Sequence, residues 1–253
     1  MKKMIKILEG FDKRRNDRNK EEWEKKSLAE KYEEIAQWFR PCAEQILCNG
    51  YFLVNGEYII DLGAIELYYH EEEGEIKDYI MYHINDNPKN KSKVKIKENG
   101  VLPYFKMGRF HFHQSGIDVT FEKETQKYRA AFLIRSYRVL EADNGKYPEN
   151  NGTKYDPHST HIFDDMFYGG VSLGESMGTE IKWEPFKKRE KNDLELIARV
   201  NVPIVYMTDD GKIEKKESVN SKSEVETFKS GGKTYVKDTR KWQFKLMNIS
   251  EEK

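Results

Sequence analysis

A carboxylate within an apolar strand pattern is the first group in this sequence that could do chemistry. Glu66 stands in IIDLGAIELYY, residues 59–69. Because successive side chains of a strand point to opposite faces, Glu66 shares its face with three apolar residues and a tyrosine, namely Ile60, Leu62, Ala64 and Tyr68. Either the strand ends here and Glu66 reaches solvent, or Glu66 is a base held in a pocket with Tyr68 as a wall.

Two histidines on one strand face form a second candidate site. In GRFHFHQSG the alternation places His111 and His113 together and the two phenylalanines on the other face. Such a pair can be part of a metal site, but no carboxylate stands at helical spacing beside it, and we expect no metal and no other cofactor. His113-Gln-Ser115 and His158-Ser-Thr160 are also two H-x-S/T units, the pattern of two-histidine phosphodiesterases, which is an alternative function.

An arginine on a third strand pattern adds a cation to these groups. Arg135 lies in YRAAFLIRSYRVLE, on the face that carries Ala131, Leu133, Tyr137 and Val139. Hydrolysis of an N-glycosidic bond requires a carboxylate that activates water and flat or polar side chains that stack on the base and hold it. One pocket could provide these groups from Glu66, Tyr68, His83, His113 and Arg135.

The first 49 residues are predicted to be a tail followed by a helix. Residues 1–18 carry seven lysines and arginines against three acidic residues, which predicts a basic flexible tail. From about Asn19 apolar residues recur three and four positions apart, which predicts an amphipathic helix that Pro41 breaks or restarts. Residues 19–253 are then expected to form a single domain.

The later segments predict a sheet built from hairpins. Asn55-Gly56 lies between YFLV and EYII, and Gln114-Ser115-Gly116 lies between two strand-like runs, so each turn should join antiparallel strands. We expect an α+β fold, in which a mostly antiparallel, curved sheet with hairpins is flanked by helices.

Composition limits the classes of partner and compartment. Lys plus Arg and Asp plus Glu number 44 each, so no global field draws the protein to nucleic acid. No run approaches the roughly 18 apolar residues of a membrane-spanning helix, and the basic start lacks the apolar region of a signal peptide. Only Cys42 and Cys48 occur, which fits a reducing compartment. We expect a cytoplasmic monomer without membrane contact.

Contact with nucleic acid would then depend on local basic patches. Five lysines alternate with other residues, and in an extended segment their ammonium groups would lie about 6.6 Å apart on one side. This ladder would suit successive phosphates, or it protects the edge of a sheet. The ladder is Lys89, Lys91, Lys93, Lys95 and Lys97, and the further phosphate contacts we expect are Lys187, Lys188, Arg189 and the basic tail.

The order of these segments resembles the alkyladenine (3-methyladenine) DNA glycosylase family. The segments are CAEQILCNGYFLVNGEYIIDLGAIELYY, a histidine in a loop, GRFHFHQSGIDVTF and YRAAFLIRSYRVLE, about residues 42–141. The resemblance implies a monofunctional glycosylase that flips a damaged or modified base out of double-stranded DNA and hydrolyses its bond to the sugar. It implies that Glu66 activates water and Arg135 fixes it, while Tyr68, His83 and His113 contact the base.

The sequence also departs from the family pattern. The family has a tyrosine wedge just before the hairpin glycine, whereas Ser115 stands there, so Gln114 with Ser115 is expected to intercalate, or another loop does so. With His111 beside His83 and His113, the pocket wall has hydrogen-bonding groups, which suit a polar or glucosylated base of viral DNA and a role in defence. Repair of 3-methyladenine or hypoxanthine, with a changed pocket wall, is nevertheless the preferred interpretation of the substrate, and a non-catalytic nucleic-acid or nucleotide binder on the same fold is a further alternative.

Overall fold

Helices come first in the chain and strands follow. The structure, a computed structural model, has three N-terminal helices, α1 Lys2–Asn16, α2 Lys20–Lys25 and α3 Leu28–Cys48. It describes residues 1–78, 80–81, 84, 102–148, 154–166, 180–186, 193–199, 203–204, 227–230, 233–237, 240–247 and 249.

Helix α3 begins at a capping box and continues through a proline. Ser27 Oγ accepts the backbone N–H of Glu30, and the Glu30 carboxylate accepts the backbone N–H of Ser27. Pro41 lies inside the helix, so the prediction that it breaks or restarts the helix is wrong. An internal proline costs about 3 kcal/mol. Burial of the neighbouring Phe39 and Ile46, at about 1.5–3 kcal/mol each, offsets that cost.

Helix α1 corrects the prediction of a flexible tail in residues 1–18. Met4, Leu8 and Phe11 recur four and three residues apart, and all three are fully buried in the main core. The ring of Phe11 makes edge contacts with Phe121, its centroid lying 5.2 Å away. Lys2, Lys3, Lys6 and Lys13 are exposed, whereas Arg15 is buried, and the number of basic residues hides the apolar stripe that faces the core.

The sheet is antiparallel and curved, as predicted for an α+β fold of one domain. Eight strands pair in the order β3-β4-β5-β2-β1-β6, with β11 beside the second half of β2 and β7 beside β11, and β8, β10 and β9 form a separate sheet of three strands. The strands are β1 Gly50–Val54, β2 Tyr58–Glu71, β3 Arg109–His113, β4 Gly116–Thr120, β5 Tyr128–Glu141, β6 Ile181–Pro185, β7 Leu194–Ile197, β8 Pro203–Ile204, β9 Thr227–Ser230, β10 Lys233–Lys237 and β11 Gln243–Leu246.

Both predicted hairpins are confirmed. Asn55 and Gly56 have φ angles of 53° and 75°, the left-handed pair that a two-residue turn between twisted strands requires. They join β1 to β2 with Phe52 opposite Ile60. Gln114 and Ser115 join β3 to β4, with His113 opposite Gly116, and here the positive φ angle, 131°, belongs to Gly116.

A bulge in β2 overturns the predicted face of Glu66. The pairing of β2 with β5 shifts between Leu62 and Ile65. Consequently Leu62 before the bulge and Ile65 after it both pack in the main core under α3. Glu66 therefore points to the outer face of the sheet, away from Ile60 and Leu62. The extra residue in the bulge moves every later side chain of β2 to the face opposite to the one that simple alternation predicts.

The same bulge changes the predicted neighbours of Arg135 on β5. Ile134 and Tyr137 both belong to the main core, so Tyr137 and Val139 do not share the face of Arg135. A short helix, α4 Ile162–Met166, follows the next described loop. Among the described residues, no helix combines the length and apolar character needed to cross a bilayer.

Candidate active site

Glu66 is a buried carboxylate in the middle of a sheet. It is 1% exposed, and it lies between Leu133 of β5 and Gln243 of β11, its partners on either side. The row continues from Leu133 to Asp118 of β4 and then to His111 of β3. The interpretation of Glu66 as a solvated strand end is therefore wrong, since β2 continues to Glu71. Glu66 is instead buried beside the Tyr68 hydroxyl, and its role as a base in a pocket stays a prediction.

Two donors hold the Glu66 carboxylate. The Tyr68 hydroxyl donates to Oε2 at 3.0 Å, and Arg135 Nε lies 3.3 Å from Oε1. Arg135 Nη1 in turn donates to Ser159 Oγ at 3.1 Å. The guanidinium compensates the negative charge that burial removes from water, and the second contact fixes its plane. Since the Arg135 side chain is 23% exposed, the site reaches the surface beside it.

Tyr68 has a different environment from the one predicted. The guanidinium of Arg199 lies over its ring, 4.8 Å from the centroid, and the ring packs against Met81 and Ile84. Desolvation and the neighbouring Glu66 raise the pKa of the Tyr68 hydroxyl well above 10, so this group stays a donor at neutral pH. Tyr68 thus positions Glu66 through its hydroxyl, and a base could stack only on ring surface that these neighbours leave free.

Arg199 is itself fixed by a buried ion pair. Its Nη1 and Nη2 donate to the two oxygens of Asp78 at 2.8 and 3.2 Å, and Arg240 Nη2 donates to the same carboxylate at 3.2 Å. Both Arg199 and Asp78 are fully buried. Arg199, which follows β7, and Arg240, which precedes β11, thus support the Tyr68 side of the site although both are more than 100 residues away from Tyr68 in sequence.

His111 and His113 share a face, as predicted, but a carboxylate joins them. Asp118 lies opposite His111 on β4, and its Oδ2 is 3.1 Å from His113 Nε2 and 3.9 Å from His111 Nδ1. His113 Nδ1 accepts the backbone N–H of Ser115 at 3.1 Å. The proton of a neutral His113 ring therefore belongs on Nε2, which faces Asp118 without hydrogen-bond geometry, and the contact of Nδ1 with Ser115 occupies one of the two nitrogens that a metal could use.

A second buried carboxylate on β2, Asp61, contrasts with Glu66. The hydroxyls of Tyr147 and Tyr155 each donate to Asp61 Oδ2 at 2.7 Å, and Arg138 Nε donates to it at 2.9 Å. Asp61 is fully buried, and Tyr155 and Arg138 cover it. So many fixed donors favour a structural role for Asp61, whereas Glu66 lies beside the partly exposed Arg135.

The hairpin end has an exposed polar side chain and an exposed aromatic one. Gln114 is exposed, Ser115 is half-buried, and the Phe112 side chain next to them is 42% exposed. The intercalating role of Gln114 stays a prediction, and Phe112 is a further candidate that sequence reasoning assigned only to a strand face.

Several predicted contact residues lie outside the described part of the chain. They are His83, the five lysines at positions 89 to 97, and Lys187, Lys188 and Arg189. Their assignments remain predictions.

The histidines of the phosphodiesterase alternative pair with different carboxylates. His113 pairs with Asp118, whereas His158 Nδ1 lies 2.8 Å from Asp156 Oδ1 and its side chain is 60% exposed. Two imidazoles that flank one phosphate would need to face a common point. This arrangement does not favour a phosphodiesterase.

Comparison with known proteins adds no further support for any of these functions. No family model, no curated protein and no solved structure matches the chain. The candidate site therefore depends on its own geometry. Sequence reasoning missed Asp118, Ser159, Arg199 and Gln243, because each comes from a separate segment and none carries a local motif.

Proposed function

We propose that this protein is a monofunctional DNA glycosylase that acts on double-stranded DNA containing a modified base. The observation that carries the proposal is the buried Glu66 carboxylate, which accepts a hydrogen bond from Tyr68 and pairs with the partly exposed Arg135 of the neighbouring strand. Burying a charge costs free energy unless other groups compensate it. Buried carboxylates of this kind are often found at functional sites. Glu66 would act as the general base for a water molecule.

In the proposed reaction, Glu66 accepts a proton from water while the oxygen attacks the sugar carbon that bears the base. The bond from that carbon to the base nitrogen breaks, and the base departs with the bonding electrons. Arg135 would hold the water against Glu66, and Ser159 would keep the guanidinium in place. The products are the free base and an abasic site in the duplex.

A lysine on the same face gives a direct check of the monofunctional mechanism. Gln243 and Lys245 alternate with the core residues Phe244 and Leu246 along β11, so Lys245 lies on the outer face near Ala64. A bifunctional enzyme would form an imine between a lysine and the sugar carbon. Borohydride should trap no protein–DNA adduct in the wild type. An adduct that disappears in Lys245→Ala would contradict this part of the proposal.

The polar groups around the site favour a base with a polar adduct over a flat alkylated purine. Arg199 covers part of the Tyr68 ring, and the His113–Asp118 pair replaces aromatic surface with hydrogen-bonding groups. A site built to bond a polar group discriminates strongly against substrates that lack it. Glucosylated hydroxymethyl pyrimidines of viral DNA have such groups, and a defence role follows if they are the substrate.

The test is base release from a panel of duplexes. Duplexes with 3-methyladenine, hypoxanthine or glucosylated hydroxymethylcytosine are incubated with protein and then treated with alkali, which breaks strands at abasic sites. We expect breaks with at least one duplex, most with the glucosylated one, and none with Glu66→Gln. Breaks confined to 3-methyladenine or hypoxanthine would make this a repair enzyme, and binding without breaks on any duplex would make the protein a non-catalytic binder.

The two cysteines support the proposed compartment. Cys42 and Cys48 are both buried free thiols. Burial raises the pKa of the Cys42 thiol to about 11, so it stays protonated and unreactive at neutral pH. Two unpaired thiols fit a reducing compartment, and we infer a cytoplasmic protein that works as a monomer.

A further inference from the structure

An aspartate and two histidines meet in the loop that follows β5. Asp156 Oδ1 lies 2.8 Å from His158 Nδ1, and Asp156 Oδ2 lies 2.9 Å from His161 Nδ1. The two imidazole rings are 5.0 Å apart and inclined by 32°. One donor atom from each of the three residues therefore lies within 4.8 Å of the others. Sequence reasoning gave His161 no role and His158 only that of a phosphodiesterase residue.

The loop holds this carboxylate in a fixed place. The backbone of Asp156 pairs with Tyr137 of β5 through hydrogen bonds of 2.6 and 3.1 Å. Asp156 Oδ1 also accepts the backbone N–H of His158 at 2.7 Å. The histidine side chains are 60% and 59% exposed, so an ion from solvent can reach their nitrogens. A rigid carboxylate with two accessible imidazoles is a suitable start for a metal site.

We propose that Asp156, His158 and His161 bind a divalent transition-metal ion of the zinc class. Two imidazole nitrogens and one carboxylate oxygen are ligands that Zn²⁺, Co²⁺ and Ni²⁺ accept, with water in the remaining positions. Neighbouring ligand atoms of a tetrahedral zinc ion lie about 3.3 Å apart. The two histidines now contact different oxygens of Asp156, at 2.8 and 2.9 Å, and the three ligand atoms lie within 4.8 Å of one another, so small side-chain rotations must bring them to these spacings around one ion.

Binding exchanges protons for the ion. Each Nδ1 that now faces the carboxylate must be free of its proton before it can coordinate. The metal therefore competes with protons for these nitrogens, and its binding releases them.

This site lies next to the candidate active site but does not use its groups. Ser159, which accepts the hydrogen bond from Arg135, stands between the two histidines in the same turn. A bound ion would fix that turn to β5 and so help to fix Ser159. The site differs from the His111, His113 and Asp118 group, in which His113 Nδ1 already accepts a backbone N–H.

The test is binding of Zn²⁺ and Co²⁺ to the full chain at pH 7.5. We expect one ion per chain by calorimetry, visible absorption of tetrahedral or five-coordinate Co²⁺, and a rise in Tm on addition of Zn²⁺. The variant His158→Ala/His161→Ala should lose all three signals. The single variant His161→Ala should weaken binding by at least about tenfold. Both histidines are exposed, and circular dichroism checks that the variants fold.

The matched control is His111→Gln, which alters the other group of histidines. Binding of one ion should survive in this variant. Unchanged binding in the double variant, loss of binding in His111→Gln, or no binding by the wild type would each overturn the proposal. Because the readout is metal binding, these results are independent of base release.

Discussion

The donors around Glu66 differ in what their removal should do. Tyr68 contributes one neutral hydrogen bond, whereas Arg135 contributes a charge and a link to Ser159. Loss of a hydrogen bond to a charged group costs about 1.5–3 kcal/mol. The two residues can therefore be separated by conservative changes that keep their size.

Tyr68→Phe should lower the rate of base release by about 10- to 100-fold, because Glu66 loses one donor while the ring stays in place. Since the pKa of the Tyr68 hydroxyl lies well above 10, the loss should be the same at pH 6 and pH 9. Single-turnover rates at both values measure it. Tyr51→Phe, a change to a buried tyrosine of a different apolar cluster, is the control. An effect that appears only at high pH would refute the donor role.

The chemical identity of the site residues was easier to predict than their surroundings. Glu66 and Arg135 stand out because a charge interrupts an apolar pattern, and the structure places them in contact. Asp118 and Ser159 come close to the site only through strand register and a distant loop. No local spacing encodes such contacts, because they depend on tertiary pairing.

At the scale of elements, the bulge in β2 decides which residues reach the outer face. Gly63 stands at this bulge, between the two buried carboxylates. A Cβ atom there would lie 2.6 Å from Tyr155 Cδ1 and 3.0 Å from Ser136 Oγ. The strand can therefore pack closely under Tyr155 only because position 63 has no side chain.

Gly63→Ala should lower the free energy of unfolding by about 1–3 kcal/mol, since Tyr155 must move from its hydrogen bond with Asp61. Urea denaturation measures the change. Gly10→Ala in α1 is the matched control, because its Cβ would meet only the end of the Arg14 side chain, at 3.3 Å. That change should be neutral or stabilise by up to about 1 kcal/mol. Equal stability of both variants would contradict the account of the bulge.

Helix α1 is an integral part of the fold. Phe11→Ala should destabilise the protein by about 3–5 kcal/mol, because the ring is fully buried among the aromatic residues of the main core. Lys13→Ala on the exposed side of the same helix should change stability by less than about 0.5 kcal/mol. Urea midpoints of the two variants measure the difference. A small effect of Phe11→Ala would restore the interpretation of this segment as a tail.

The strands and turns could be predicted from local patterns, whereas the sheet face on which Glu66 lies and helix α1 could not. Asn55-Gly56 requires left-handed backbone angles, so its hairpin could be predicted from two residues. A bulge leaves no comparable signal in single-sequence alternation. The many charged residues around Met4 and Phe11 likewise made the apolar stripe of α1 hard to recognise, and this stripe is stabilised only by packing against α3.

At the scale of the whole molecule, zero net charge means that the proposed DNA affinity would come from local patches. Replacing Lys91, Lys93 and Lys95 by alanine should reduce the log–log slope of affinity against salt by up to about 2.7. Titrations at several salt concentrations measure the slope. Replacing Lys2, Lys3 and Lys6 of α1 tests the predicted contribution of the basic N-terminal segment to the same slope. An unchanged slope in the first variant would make that segment a solvated edge.

The most direct test of the central claim is base release by Glu66→Gln, measured in single turnover beside binding of the same duplex. The amide keeps the shape of the side chain but cannot accept a proton from water. We predict a rate at least about 10²-fold lower than that of the wild type with DNA affinity retained. Release at the wild-type rate by this variant would contradict the assignment of Glu66 as the general base.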